Sequence, residues 1–190
     1  MSASPVRLIL AAALAAGAAF ALPAPASAAP KQCAIGKWRL VKYSLIAKGE
    51  TTSTVKGGAG TKLTVTPKKF AYDFTGSKKV VLKTAIEGTP ITVNRTYRKR
   101  LAFKSTLKGA KKGKFSLRAK SASGNAVVRS TFNGTPTDPE YLVKIYRKGD
   151  FDPFIVPYGN YACTAKVLKF QSKHADETGT SVVSATYRRI

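Results

Sequence analysis

The sequence has few of the residues that most enzyme sites require. Its 190 residues include one histidine, two cysteines and nine acidic residues. His174 stands in a polar stretch, and without a second histidine or a thiolate pair a zinc site has too few ligands. Asp150, Asp152 and Glu140 lack the spacing of a dedicated calcium loop. No serine stands in a nucleophile elbow, and no glycine-rich phosphate loop precedes a helix. We therefore expect no enzyme activity, no metal and no cofactor.

Long apolar runs are also scarce, and the one that exists lies at the N-terminus. Residues 8–22 are apolar and rich in alanine, Arg7 precedes them, and the small residues 26–28 follow. This order predicts a cleaved signal peptide over residues 1–28 and a single mature domain over residues 29–190. The run is short for a bilayer span, so we expect a secreted protein without stable membrane insertion. The alanine-rich leader indicates a bacterium, of the Gram-positive type.

The two cysteines allow one internal bridge. Disulfides are the expected state in an exported protein, so we predict that Cys33 pairs with Cys163. Closing a loop of about 130 residues stabilises the folded chain by about 4–5 kcal/mol in the chain-entropy model. The alternative is two free thiols.

Negative charge is missing from the middle of the chain. Without Arg7 the mature protein has 32 basic and 9 acidic side chains, a net charge of +23. No acidic residue lies between Glu87 and Asp138, whereas twelve basic residues do. If residues 91–107 pair with residues 114–121, these charges form a cationic ribbon with a lysine-rich tip. Such a ribbon suits phosphate attraction better than base readout, and its alternative role is a solvated face that blocks edge-to-edge aggregation. The predicted polyanion-binding residues are Arg98, Arg100, Lys108, Lys111, Lys112 and Lys114.

The mature sequence alternates between apolar and polar residues with the period of β-strands. Phe70, Tyr72 and Phe74 share one face of a predicted strand, and a change of phase after Leu40 predicts a bulge in the first strand. Short glycine-rich turns separate the strands. The pattern predicts an all-β fold, a single antiparallel meander of about eight or nine strands that closes into a barrel.

Some local expectations are more specific. Residues 48–60 read as a polar loop, residues 114–121 and 126–132 as a hairpin, and the last two strands as residues 161–170 and 179–190, joined by a polar segment. One short helix is predicted near residues 138–148, with Asp138 as its N-cap and Gly149 as its C-terminal stop. A strand is the alternative there, because Tyr141, Val143 and Ile145 also alternate with polar residues.

The two ends of the mature chain resemble a known superfamily. Gly36-Lys37-Trp38 opens the first strand, and Tyr187-Arg188-Arg189-Ile190 ends the last one, as in lipocalin-like (calycin) barrels. The resemblance implies that Trp38 closes the floor of the barrel and that an arginine near the C-terminus packs across its indole. Arg189 is favoured over Arg188, which makes Gly36, Trp38 and Arg189 the barrel-closing residues.

A wider resemblance covers residues 60–77 and 161–168, which are similar to small exported actinobacterial proteins of unassigned function. The first expectation for function is therefore a non-enzymatic, monomeric, secreted barrel that binds a small apolar or amphipathic ligand. The alternatives are a cationic envelope protein that binds teichoic acid, extracellular DNA or acidic polysaccharide, and a protease inhibitor that presents residues 149–157. The side chains predicted to line the barrel interior are Trp38, Phe70, Tyr72, Phe74, Tyr97, Phe103 and Phe115.

Overall fold

A computed structural model describes residues 32–190, so the predicted signal peptide lies outside the described residues. The described part of the chain forms fifteen strands, one α-helix and one short 3₁₀ turn at Ala119–Ser121. The helix is α1 (Leu142–Lys148). The strands are β1 (Gly36–Lys48), β2 (Thr52–Gly57), β3 (Lys62–Thr66), β4 (Lys69–Asp73), β5 (Val80–Ile86), β6 (Thr89–Arg98), β7 (Arg100–Lys108), β8 (Lys112–Leu117), β9 (Ser123–Gly124), β10 (Val127–Phe132), β11 (Thr135–Pro136), β12 (Glu140–Tyr141), β13 (Tyr158–Cys163), β14 (Val167–Asp176) and β15 (Gly179–Arg189).

Eight of the strands close into an antiparallel barrel in the order β1-β3-β4-β7-β8-β13-β14-β15. The ring closes because β1 pairs with β3 along one edge and with β15 along the other. The predicted all-β class and the predicted strand number are confirmed. A closed barrel of this kind is compatible with the lipocalin-like architecture that the chain ends imply.

The first strand serves two sheets because it bends. Its first half, Gly36 to Arg39, pairs with β3, and its second half, Ser44 to Lys48, pairs with β2. The register against β15 shifts between Leu40 and Lys42, so a bulge lies where the change of phase predicts it. Strands β5, β6 and β10 continue the second sheet outward from β2.

Two predicted boundaries are wrong in this region. Residues 48–60 are not a loop throughout, because β2 pairs there with both β1 and β5. The long strand predicted over residues 91–107 is divided into β6 and β7 at Lys99, whose φ of 65° is left-handed. Tyr97 and Leu101 are buried on either side of that bend, so the chain turns while odd-numbered residues stay inward.

The predicted hairpin between residues 114–121 and 126–132 does not form. Strand β8 pairs with β7 on one edge and with β13 on the other, so it has no free edge for another strand. Strand β10 pairs instead with β6, in the second sheet. The 3₁₀ turn and β9 carry the chain from one sheet to the other.

The helix ends where the sequence predicts and begins later. Gly149 has a φ of 100°, and its N–H reaches the carbonyls of Ile145 and Tyr146, which terminates α1. Asp138 is not the N-cap, because β12 intervenes and pairs with β10, and Tyr141 occupies the cap position without a side-chain bond. Leu142 and Tyr146, four residues apart, are the buried residues of the helix.

The single strand predicted over residues 161–170 is wrong, because the chain turns at residues 164–166 and forms two strands that pair antiparallel, β13 and β14. Strand β13 begins at Tyr158, and β14 runs from Val167 to Asp176 through most of the segment expected to be a connection. Ser172 is buried and Lys173 to Asp176 are exposed, so only the start of the polar stretch contacts the core. Among residues 32–190, no helix has the length and apolar content that a membrane span requires.

Candidate polyanion-binding surface

One end of the barrel is closed by the tryptophan and an arginine from the last strand. The Trp38 side chain is fully buried, and its Nε1 donates to the carbonyl of Ala34 at 2.8 Å. The guanidinium carbon of Arg189 lies 4.1 Å from the indole centroid, whereas Arg188 is paired in register with Arg39 on the outside. Arg189 gains a cation–π contact and fixes the chain ends at this floor.

The same guanidinium holds two segments of backbone. Its Nη2 donates to the carbonyl of Cys33 at 2.8 Å, its Nη1 to that of Ile35 at 3.2 Å, and its Nε to that of Ala165 at 2.7 Å. Gly36 makes room for it, since a Cβ on Gly36 would lie 2.3 Å from Nη1 and the φ of 143° disfavours any other residue.

A disulfide bond joins Cys33, beside the floor, to Cys163 at the end of β13, and the backbone N–H groups of both cysteines bond to the tip of the β7–β8 hairpin. The N–H of Cys33 donates to Ala110 O at 3.0 Å, and the N–H of Cys163 donates to Lys111 O at 2.8 Å. The Tyr161 hydroxyl donates to Gly109 O at 2.6 Å. The predicted bridge is present, and the turn that carries the predicted basic tip is therefore fastened to the barrel floor.

The seven side chains predicted to line a ligand cavity are core residues. Each is between 0% and 4% exposed, and the rings pack on one another. Phe70 lies 5.8 Å from Phe115 between ring centroids, Tyr72 lies 6.3 Å from Phe103, and Phe74 lies 5.5 Å from Tyr97. An eight-stranded barrel has room for side chains or for one small ligand. Ligand binding in the interior stays a prediction.

The other end of the barrel is plugged by residues 150–157, here called the plug. Phe154, Ile155 and Val156 are each 4% exposed, and the Phe154 ring lies 5.0 Å from Tyr43 and 4.9 Å from Tyr97 between centroids. A protease inhibitor must present its loop to solvent, and these three side chains face the core. Phe151 of the same segment is 57% exposed, and protease inhibition by residues 149–157 stays a prediction.

A buried ion pair fixes the plug. Asp152 is 2% exposed and accepts hydrogen bonds from Arg95 at 2.8 Å, from the Tyr97 hydroxyl at 3.0 Å and from the N–H of Phe154 at 2.9 Å. Burial raises the pKa of Asp152, and Arg95 opposes that effect without cancelling it. Burial also raises the pKa of Tyr97, which keeps the hydroxyl protonated as a donor to the carboxylate.

The outer face of the barrel carries the basic residues. Along β7, β8, β13 and β14, successive residues point alternately to the core and to solvent, and lysines occupy the solvent side of β7, β8 and β14. Three adjoining grooves of about 910, 720 and 530 Å³ run over this face and share lining residues. No acidic side chain lines any of the three. The nine basic residues of these grooves, here called the lysine wall, are Lys68, Lys69, Lys104, Lys108, Lys112, Lys114, Arg118, Lys169 and Lys173.

Cross-strand register puts like charges directly opposite each other on the lysine wall. Lys108 on β7 is opposite Lys114 on β8, and Lys69 on β4 is opposite Lys104 on β7. Like charges in such positions destabilise a sheet. The ion pairs found in residues 32–190 are Arg95–Asp152, Arg100–Asp73 and His174–Asp176, and none of them neutralises the wall.

The structure brings together four of the six predicted polyanion-binding residues. Lys108, Lys112 and Lys114 belong to the lysine wall, and Lys111 stands beside them in the turn. Arg100 is at the other end of β7, about 26 Å from Lys108 at about 3.3 Å per residue. Its Nε lies 3.6 Å from a carboxylate oxygen of Asp73. Arg98 is on β6, in a separate groove of the second sheet.

Sequence reasoning missed the part of the lysine wall that β14 contributes. Lys169 and Lys173 follow Lys114 by 55 and 59 residues, and only the pairing of β13 with both β8 and β14 brings them next to the predicted ribbon. Reading the alternation from Tyr158 instead of Tyr161 would have placed Tyr158 and Asn160 on the same outer face.

Within residues 32–190, no three histidine, cysteine or acidic side chains converge in a way that would hold a metal ion. Comparison with protein-family models, with curated proteins and with solved structures finds no match to this chain.

Proposed function

We propose that this chain is an exported, non-enzymatic, lipocalin-like protein that binds polyanionic polymers through the lysine wall. The predicted leader over residues 1–28 and the Cys33–Cys163 disulfide support export. The closed barrel is the scaffold, and its outer face, rather than its interior, carries the function.

The observation that supports the proposal is the concentration of unneutralised positive charge on neighbouring barrel strands, from the β3–β4 turn through β7 and β8 to β14. Nine basic side chains line three continuous grooves without one acidic partner, and two cross-strand pairs in them are lysine against lysine. A bound polyanion relieves that repulsion and releases its own counterions, so association is favourable and salt-dependent. Because the strands already fix the backbone that carries these charges, binding costs little backbone conformational entropy.

The test is retention on immobilised polyphosphate as a function of salt. The protein is expected to bind at low ionic strength and to elute between low and moderate salt, because the attraction is screened and counterions compete. Replacing Lys108, Lys111, Lys112 and Lys114 with glutamine is expected to lower the salt dependence of log K by about 3, at about 0.7–0.9 per lost contact.

A matched control removes the same charge elsewhere. Lys48, Lys78, Lys79 and Lys83 are exposed and lie away from the lysine wall. Their replacement with glutamine lowers the net charge equally and is expected to reduce retention much less. Equal losses in the two variants would mean that net charge alone, and not the wall, attracts the polymer.

A further inference from the structure

The middle one of the three grooves that the lysine wall lines is not lined by cations alone. The groove of about 720 Å³ between β7, β8, β13 and β14 also contains Tyr158, Asn160 and Gln171. Tyr158 is 47% exposed, which is high for an aromatic side chain in a strand, and both amides are exposed. These three residues bear no charge, so attraction of phosphate does not account for them.

Strand register places these groups in order. Lys108 is opposite Lys114, Lys114 is opposite Asn160, and Asn160 is opposite Gln171. At about 4.8 Å between strands, the row of two cations and two amides is about 14 Å long. Tyr158 stands two residues before Asn160 on the same face, opposite Ser116, so the phenol ring lies alongside the row.

A glycine keeps this part of the wall tightly paired. Gly159 lies between Tyr158 and Asn160, and a Cβ there would stand 2.3 Å from the carbonyl oxygen of Gln171. Its φ of 152° also disfavours other residues. The two strands approach closely at the point where the ring and the amides are presented.

The chemistry of the row matches a sugar polymer better than a bare polyphosphate. An amide both donates and accepts, which suits hydroxyl groups, and an aromatic face attracts the C–H bonds of a pyranose ring. Lysines supply point charges for carboxylates. Binders of single-stranded nucleic acid use several aromatic side chains for successive bases, whereas Tyr158 is the one exposed ring of this groove.

We infer that the groove is a subsite for acidic polysaccharide. A sugar ring stacks on Tyr158, its hydroxyls bond to Asn160 and Gln171, and carboxylates of the polymer pair with Lys108 and Lys114. This inference rests on the proposed function, since it assigns a ligand class to part of the same lysine wall.

The test compares a polyanion built of sugar rings with one that contains no sugar. Affinities are measured for a polygalacturonate oligomer and for polyphosphate of similar charge, at one fixed salt concentration. The variants Tyr158→Ala and Asn160→Ala/Gln171→Ala are each expected to bind polygalacturonate at least about fivefold more weakly and to bind polyphosphate within about twofold of the parent. Tyr158→Phe keeps the ring and is expected to retain polygalacturonate affinity within about twofold.

The control is Tyr141→Ala, because Tyr141 is 50% exposed on the other sheet. It is expected to change neither affinity. A circular dichroism melt of each variant establishes that it is folded before binding is compared.

Three results would overturn the inference. One is unchanged polygalacturonate binding by Tyr158→Ala, and another is an equal loss on both polymers. The third is a larger loss of affinity by Tyr158→Ala for a single-stranded oligodeoxynucleotide than for polygalacturonate, which would mean that bases stack on the Tyr158 ring. If only the variant with Lys108, Lys111, Lys112 and Lys114 replaced by glutamine lost affinity for both polymers, the proposed function would stand and the subsite would be ruled out. If the parent protein bound neither polymer, the proposed function and the subsite would both be ruled out.

Discussion

Arg95 of the second sheet donates a 2.8 Å hydrogen bond to Asp152 in the plug. The two residues are 57 positions apart, one on β6 and the other in the connection after α1. Their pairing joins the second sheet to the plug and so keeps Phe154 among the core rings.

Removing either charge is expected to destabilise the fold. In Asp152→Asn the buried Arg95 guanidinium, with 16% of its side chain exposed, loses its counter-charge. Breaking a buried pair on one side costs about 3–5 kcal/mol. The measurement is urea denaturation followed by circular dichroism. A change below about 1 kcal/mol would contradict the structural role given to the pair.

The cost of removing Arg95 is expected to depend on pH. Burial raises the folded-state pKa of Asp152 above the unfolded value of about 3.9, and Arg95→Met raises the pKa further by removing the cation. A carboxyl with a raised folded pKa favours folding when protonated, and that contribution is lost as pH rises through the folded pKa. The variant is therefore expected to be destabilised more at pH 7 than at pH 4, measured by urea denaturation at both values. Equal destabilisation of Arg95→Met at the two pH values, or a larger one at pH 4, would contradict the expected direction of the pH dependence.

The barrel floor gives a prediction with an optical readout, because Trp38 is the only tryptophan. Arg189→Ala removes the cation–π contact and three hydrogen bonds to carbonyls, which together are expected to cost about 2–3 kcal/mol. The emission of Trp38 is expected to shift to the red as water reaches the indole. Arg188→Ala is the control, since Arg188 is exposed, and it should leave stability and emission nearly unchanged.

Loss of the disulfide is expected to act on the candidate site as well as on stability. The bridge spans 130 residues, and Cys33→Ser/Cys163→Ser is expected to lower the free energy of unfolding by about 4–5 kcal/mol. The backbone N–H groups of both cysteines hold the turn beside Lys108 and Lys112, so amide hydrogen exchange should accelerate there first. Unchanged exchange at residues 108–112 in the folded variant would show that the bridge does not order the tip.

The interior packing predicts the outcome of a ligand titration. A fluorescent fatty acid is expected to show no saturable binding to the parent protein, since core rings and the plug occupy the barrel. In Phe154→Ala the ring that contacts Tyr43, Phe74 and Tyr97 is missing, and an apolar cavity is expected to accept a small probe. Tight, saturable and salt-insensitive binding of the fatty acid by the parent protein would contradict this expectation and indicate a ligand site in the barrel interior.

The fold was largely predictable because alternation reports which face of a strand is buried. Phe70, Tyr72 and Phe103 occupy the core as their spacing predicts, and the bulge near Leu40 lies where the phase changes. The strand at Thr52–Gly57 was missed because its one buried side chain, Val55, leaves no apolar repeat. Such strands are defined by their partners rather than by their own sequence.

The candidate site was predictable only in part, because it depends on which strands become neighbours. Four of its charges follow one another along the β7–β8 hairpin, and local sequence is enough to group them. Tyr158, Gln171 and Lys173 join them only through the pairing of β13 with β8 and β14. The Arg95–Asp152 pair was missed for the same reason, since nothing local shows that Asp152 turns inward.

We propose that the lysine wall is the surface that polyanions contact. Acetylation footprinting tests it lysine by lysine: the protein is modified with and without saturating polyphosphate, and the modified peptides are quantified by mass spectrometry. Bound polyphosphate is expected to protect Lys104, Lys108, Lys114, Lys169 and Lys173 severalfold. Lys48, Lys78, Lys79 and Lys83 are expected to be acetylated at the same rate as in the free protein. Protection spread evenly over both sets, or concentrated on the second, would contradict it.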